Sequence, residues 1–388
     1  MAELPASCDF LVIGAGIAGV CVAAQLRSRG ASVAIAEATQ VCGGSSALNA
    51  GGVRQQFSQR LNIALAHRTV EYLGELKQRG VELGHRQVGY LFMISDSRAV
   101  PALQAAVKVQ NDLNVPTRWL SVDEIIEMVP GLRPEGIVGG TFCPTDGYLD
   151  PNTLVTAIAA DARRSGVVIA SNTAVTGFDH SAERITGVRL STGSTIAAGT
   201  VVNCAGAWSD SIAKLYGATL PITPWRSQLF IIEGATGVPN DSPYVIDFNN
   251  GKTFYHPESG TSLLAGTDAD DACEPSWHVP FDQTKSEIVV ERLISRFTTF
   301  EDARVGRGWS GMLEITADEN PISDWTHFDN LYTMAGFSGH GLPIAPSLAG
   351  EAALVLTGEA ATLDLSPYRA DRFDQPIPPE SMELMAMR

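Results

Sequence analysis

The sequence predicts an α/β protein of two domains. Three observations predict it. In "DFLVIGAGIAGVCVAAQLRSRGASVAIAE", residues 9–37, an apolar run, a glycine-spaced turn, a helical stretch and a second apolar run follow one another. A second apolar run, glycine loop and helix, "NLYTMAGFSGHGLPIAPSLAGE", lies near the other end. Between them, "VGYLFMIS" and "SQLFIIEG" read as strands outside any βαβ rhythm. At 388 residues there is length for two domains, and 45% apolar against 18% charged residues fits a globular core better than a disordered chain.

The opening unit justifies the parallel part. Residues 9–13 read as a buried strand, and Gly14, Gly16 and Gly19 follow with G-x-G-x-x-G spacing. The first glycine allows a tight turn, the second lets backbone approach a pyrophosphate, and the third lets helix and strand pack closely. The helix expected over 17–29 opens with Ile17 and Ala18, so its positive end faces the same anion. Gly30 ends it, and 32–36 form the next strand. Glu37, followed by Ala38, stands where an acid accepts both ribose hydroxyls and disfavours a 2′-phosphate. This Rossmann-type unit serves NAD enzymes and flavoproteins alike.

The later islands favour FAD. "GGSSALNAGGVRQQF", residues 43–57, replaces the next βα unit of a dehydrogenase with a Gly- and Ser-rich stretch. Gly44, Ser45, Ser46, Asn49, Gly51 and Gly52 suit backbone and hydroxyl contacts to a cofactor that extends past its pyrophosphate. "GVVIASNTAVTGF" supplies a strand pair with Val175 placed to meet an adenine, and "TVVNCAGAWSD" a strand ending in a turn at Cys204, Ala205, Gly206 and Trp208. In the C-terminal loop, Gly336, Gly339, His340, Gly341 and Leu342 bring backbone N–H groups and a helix N-terminus toward an anionic ring edge. A reduced flavin presents such an edge.

Charge and cysteine content narrow the class. A net charge of -16 disfavours nucleic acid and a polybasic membrane anchor. No 18-residue apolar run reads as a transmembrane helix, and residues 1–8 lack the basic start of a signal peptide. Six scattered cysteines, including Cys42 beside the Gly43–Gly44 pair, read as reduced thiols of a cytoplasmic protein, with no metal site expected.

These motifs, with "GYLDPNTLVTAIAADARRSGV", "FYHPESGTSLLAG", "WSGMLEITADENPISD" and "LSPYRADRF", resemble the D-amino-acid oxidase superfamily of FAD enzymes. The likeness is greatest to the branch of sarcosine oxidase, dimethylglycine dehydrogenase and the proline dehydrogenase β-subunit. The resemblance implies an FAD domain over 1–84, 145–224 and 301–388, interleaved with a substrate domain over 85–144 and 225–300 on a mixed or antiparallel sheet. The residues after Phe373 are expected to form a loose tail.

The implied reaction is oxidation of a secondary or N-alkylated amino acid to an imine, then hydrolysis. The alternatives are a β-type subunit active only in a hetero-oligomer, or an FAD-dependent D-amino-acid or hydroxyacid oxidoreductase. Arg54 aligns with an arginine that anchors the substrate carboxylate. His340 is expected at the flavin ring, Tyr255 and His256 on a roof hairpin, Gly311 and Met312 at the flavin's other edge, and Gln55 and Gln56 as polar pocket residues. Gly311 stands where monomeric sarcosine oxidases attach FAD through cysteine, so the FAD is expected to be non-covalent. Pro343 replaces their second carboxylate-binding residue, a lysine. Leu264 replaces the lysine that promotes reaction with oxygen, which favours a quinone, carrier or partner flavoprotein over O2 as electron acceptor. Leu313 replaces the arginine of glycine and D-amino-acid oxidases.

Overall fold

In the computed structural model, residues 3–249, 251–259, 262–268 and 271–383 are described. Strand Ser7–Ile13 is the hub of the first sheet because its inner half is apolar and buried on both faces. It pairs in parallel with Val33–Ala36 on one side and Thr195–Asn203 on the other. The sheet runs Ile322–Trp325, Leu331–Ala335, Thr195–Asn203, Ser7–Ile13, Val33–Ala36, Val168–Ala170, with an antiparallel hairpin of Val175–His180 and Ile185–Leu190 beside it. Helix Ile17–Ser28 is apolar nearly all round and packs against Gly341–Leu356 and Pro151–Arg164. The two glycine loops of the sequence therefore lie on adjacent elements.

The second sheet has eight strands, ordered Arg304–Ile315, Thr223–Glu233, Ser262–Thr267, Thr253–Ser259, Tyr244–Asp247, Tyr90–Ile94, Gly139–Cys143, Arg118–Leu120. It is antiparallel except where Tyr244–Asp247 runs parallel to Tyr90–Ile94. The expected roof hairpin is present as Thr253–Ser259 and Ser262–Thr267, while Gly260 of its turn lies outside the described residues. A small two-stranded ladder, Gly52–Val53 with Gly147–Tyr148, stands apart from both sheets.

Two expectations need correction. Strand Arg304–Ile315, assigned to the first unit over 301–388, is the edge strand of the second sheet, paired along its length with Thr223–Glu233. It reaches across the cleft, so the chain returns to the first sheet only after Ile315. Residues 374–383 of the segment after Phe373 are also docked, not loose, while 384–388 lie outside the described residues. Glu383 is buried, and its carboxylate accepts from Ser58 N and Oγ at 2.9 Å. Apolarity was a poor guide there, because polar contacts hold the segment.

Gly14 shows how tightly the opening turn is built. Its φ is +100°, and a Cβ there would lie 2.6 Å from the Cys204 carbonyl oxygen. At Gly341 a Cβ would meet nothing nearer than 3.7 Å. Gly14→Ala is therefore expected to destabilise the protein by about 2–3 kcal/mol, whereas Gly341→Ala leaves the melting temperature of the apoprotein unchanged. Thermal unfolding of both apoproteins checks this, and equal shifts would contradict it.

Candidate active site

Two cavities open between the sheets, and they share Ile17, Ser45, Ser46, Glu314 and Phe337 as walls. They form one continuous cleft. Its first half is lined by Gly14, Gly16, Ile17, Ala18, Glu37, Ala38, Gly44, Ser45, Ser46, Val175, Cys204, Ala205, Gly206 and Trp208. These fourteen were expected from the sequence, while others on the same wall, among them Ala174, Ser211, Ile212, Leu215 and Trp277, were not. The Glu37 carboxylate accepts from Ala15 N at 2.7 Å and Thr39 N at 2.8 Å, which fixes it at one end. Helix Ile17–Ser28 begins at Gly16 with no acid in its first turn, so its N-terminal end presents positive potential to the cleft. Ile17 N donates to Ser46 Oγ at 3.0 Å, drawing the 45–46 turn over the same point. Gly19 lies behind this wall, where a Cβ would strike the Gly14 carbonyl.

The second half is lined by Asn49, Gly52, Arg54, Gly311, Met312, Gly339, His340, Gly341 and Leu342. Gly51 and Gly336 sit behind it, at positive-φ turns against Leu149 and Thr316. Helix Gly341–Leu356 starts here, again without an acid in its first turn. An acid for ribose hydroxyls, one helix end for a diphosphate, and a second helix end in the far half match the parts of FAD in order. Glu314 stands at the junction of the halves. Burial pushes its carboxyl up to about 7, against the opposing pull of the backbone N–H groups of Phe337 and Gly336.

Arg54 and His340 meet in the far half, with Nη2 of the arginine 3.0 Å from Nε2 of the histidine. Both are buried. A guanidinium can only donate, so Nε2 accepts and the ring carries its proton on Nδ1. Burial first, then the Arg54 and Lys252 cations, hold His340 well below the usual imidazole range, which keeps it neutral. Arg54 also donates to the Gln56 carbonyl and lies over the Phe57 ring, 4.0 Å from its centroid.

The hairpin residues fall elsewhere. Tyr255 points to the opposite face of its sheet, edge-on to Phe297 and Phe300, and Phe254 lines the cleft instead. Adjacent strand residues face opposite ways, so the expected pocket role moves by one position. His256 shares the cleft-side parity of Phe254 but lies behind the lining, stacked on Tyr148 with Nε2 3.0 Å from the Ala50 carbonyl. Burial pushes it down to about 4, so it buttresses the 50–52 turn as a neutral ring. Gln55 and Gln56 turn away from the cleft onto Asp146, each through its Nε2.

Sequence reasoning missed several neighbours. Tyr90 and Tyr244 line the far half and stack at 4.2 Å, with Ser227, Leu229 and Thr267 near them. The aromatic residues at alternate positions Tyr90 and Phe92 carried part of that signal. Lys252 is also buried, 3.6 Å from Asp268, and burial pushes its ammonium down to about 8. It adds positive potential to Arg54 and His340.

Asp146 gives a pH test of this packing. Fully buried, it accepts from Gln55 N and Nε2 at 2.9 Å, yet burial still pushes its carboxyl up to about 6 from 3.8. A raised folded value means that its contribution to stability is full below about pH 4 and is lost as pH rises through 6. Asp146→Asn removes that slope, so relative to wild type it should gain up to about 3 kcal/mol between pH 4 and pH 7. Urea unfolding of the FAD-loaded proteins at both pH values checks this. Parallel pH dependences would contradict it.

Comparison with known proteins agrees with this cleft. The family described as FAD dependent oxidoreductase matches residues 9–354. The chain is 27% identical to FAD-dependent oxidoreductase domain-containing protein 1 of Xenopus laevis, over 95% of this chain and 83% of that one. It is 26% identical to glycine oxidase of Geobacillus kaustophilus (94% and 97% covered) and 25% to sarcosine oxidase subunit beta of an Arthrobacter species (95% and 91%). The crystal structure of L-proline dehydrogenase from P. horikoshii superposes with a TM-score of 0.87 at 29% identity, covering 96% of this chain and 99% of that one. The chain belongs to the family of FAD dependent oxidoreductases, among relatives that oxidise amino acids and amines.

Proposed function

We propose that this enzyme oxidises a secondary or N-alkylated α-amino acid to the imine, which water then hydrolyses to a carbonyl compound and an amine. The observation that carries the proposal is Arg54, a buried guanidinium in the cleft wall, braced by His340, in a cavity also lined by the stacked rings of Tyr90, Tyr244 and Phe254. A desolvated arginine is suited to a carboxylate, and flat apolar walls accept a substituted nitrogen and exclude water. FAD held along the cleft from Glu37 and the 14–19 turn to the 339–342 loop would supply a two-electron, hydride-accepting oxidant in the far half. The protein's own task is to hold the α-carbon against that oxidant.

His340 remains neutral and accepts from Arg54, so its role is to orient the guanidinium. Leu313 and Pro343 line the same half and bring no charge, so Arg54 is the cation on its described wall, with Lys252 buried nearby. A second reading, a β-type subunit that passes electrons to a partner, is favoured by the likeness to sarcosine oxidase subunit beta. Leu264 supports it too, since it is packed in an apolar cluster and supplies no charge for oxygen chemistry.

Anaerobic bleaching of the bound flavin, read at about 450 nm, tests the function across sarcosine, L-proline, glycine and an α-hydroxy acid. The secondary amino acids should bleach it fastest. Faster bleaching by glycine or the hydroxy acid would overturn the reading, and rapid reoxidation on admitting air would mark an oxidase. Arg54→Met should keep FAD and lose roughly 100-fold in kcat/KM, through removal of a charge-assisted carboxylate contact. Unchanged kcat/KM would remove Arg54 from the substrate site.

A further inference from the structure

Helix Arg60–Gln78 begins at Gln59 with no cap from Gln59's own side chain and no acid in its first turn. The missing anion comes from the far end of the chain. The Glu383 carboxylate accepts from Ser58 N at 2.9 and 3.1 Å, Ser58 Oγ at 2.9 Å and Asn62 Nδ2 at 3.1 Å. Its segment is anchored along the way. Arg372 donates to Asp318 at 2.8 Å, Tyr368 to Asn62, and Asn320 Nδ2 to the Ser381 carbonyl at 3.0 Å.

What Glu383 grips is the end of the segment that carries Arg54. Ser58 follows Phe57, whose ring lies under the guanidinium and meets the His340 ring edge-on at 5.2 Å. The Phe57 carbonyl is held by Gln110 Nε2 at 2.7 Å, and the Gln56 carbonyl accepts from Arg54 itself. A displacement at Ser58 therefore reaches the guanidinium through two residues of backbone and a stacked ring. The Glu383 charge also opposes the loss of charge that burial imposes on Arg54.

We propose that Glu383 is a positioning residue for Arg54, so that the C-terminal segment completes the substrate site by fixing the 54–58 turn from behind. The inference rests on the reading that Arg54 binds the substrate carboxylate. A cap that served stability alone would leave carboxylate affinity untouched.

The test uses full-length holoenzyme and pyrrole-2-carboxylate, a flat cyclic carboxylate, titrated against the flavin absorbance. Glu383→Gln keeps the side-chain shape but turns an N–H donor toward N–H groups. Its Kd should rise at least about fivefold, the net worth of one hydrogen bond, with KM rising in step, kcat within about twofold and FAD content unchanged. Glu383→Asp, which keeps the charge, should recover part of the affinity. A lowered melting temperature with Kd and KM at wild-type values would overturn the proposal, as would loss of FAD from both variants. Arg54→Met separates the two readings. If it binds the probe as wild type does, or if wild type gives no response, the carboxylate reading fails. If it binds weakly while Glu383→Gln binds normally, only the role of Glu383 fails.

Discussion

A guanidinium nitrogen and an imidazole nitrogen meet at 3.0 Å, buried, from residues 286 positions apart. The rest of the site depends on that contact. Arg54 follows the short strand Gly52–Val53, which pairs with Gly147–Tyr148, and His340 precedes the helix that packs on Ile17–Ser28. A desolvated cation that loses a partner costs several kcal/mol. The stretch after Gly52–Val53 and the loop before Gly341–Leu356 must therefore meet, the second carried by strand Leu331–Ala335 of the parallel sheet.

Charges of both signs surround this contact. Arg54 and Lys252 raise the potential of the far half, against Glu314 on its wall and Glu319 nearby, while two other carboxylates are engaged behind it. Asp146 is covered by Gln55 and Gln56, and Glu383 by Ser58 and Asn62. A carboxylate substrate, as proposed, would meet the Arg54 guanidinium on the wall of this half. His340 stays neutral in that field, so the cleft gains no third positive charge.

Much of this was legible in the sequence because covalent geometry leaves few alternatives. Gly14 needs a positive φ and room beside Cys204, and Glu37 must end the second strand for its carboxylate to reach the turn. Arg54 was marked by the resemblance, in which it aligns with a carboxylate-anchoring arginine, and by its place just after the Gly- and Ser-rich stretch. The failures have a common cause, since tertiary packing decides what local pattern leaves open. In the strand Thr253–Ser259 the neighbours Phe254 and Tyr255 are both aromatic, and only the position of the cleft tells which one faces it. Arg304–Ile315 reads as a strand in either sheet. Lys252 and Glu383 carry the polarity of surface residues, and both are buried by contacts distant in sequence.

The central claim is that Arg54, oriented by His340, selects the carboxylate of the substrate. The most direct measurement is the anaerobic rate of flavin reduction by an amino acid and by its methyl ester, in wild type, Arg54→Met and His340→Ala. Wild type should prefer the acid by roughly 100-fold, Arg54→Met should show no preference, and His340→Ala should fall between them. An acid-to-ester preference that survives in Arg54→Met would contradict the account.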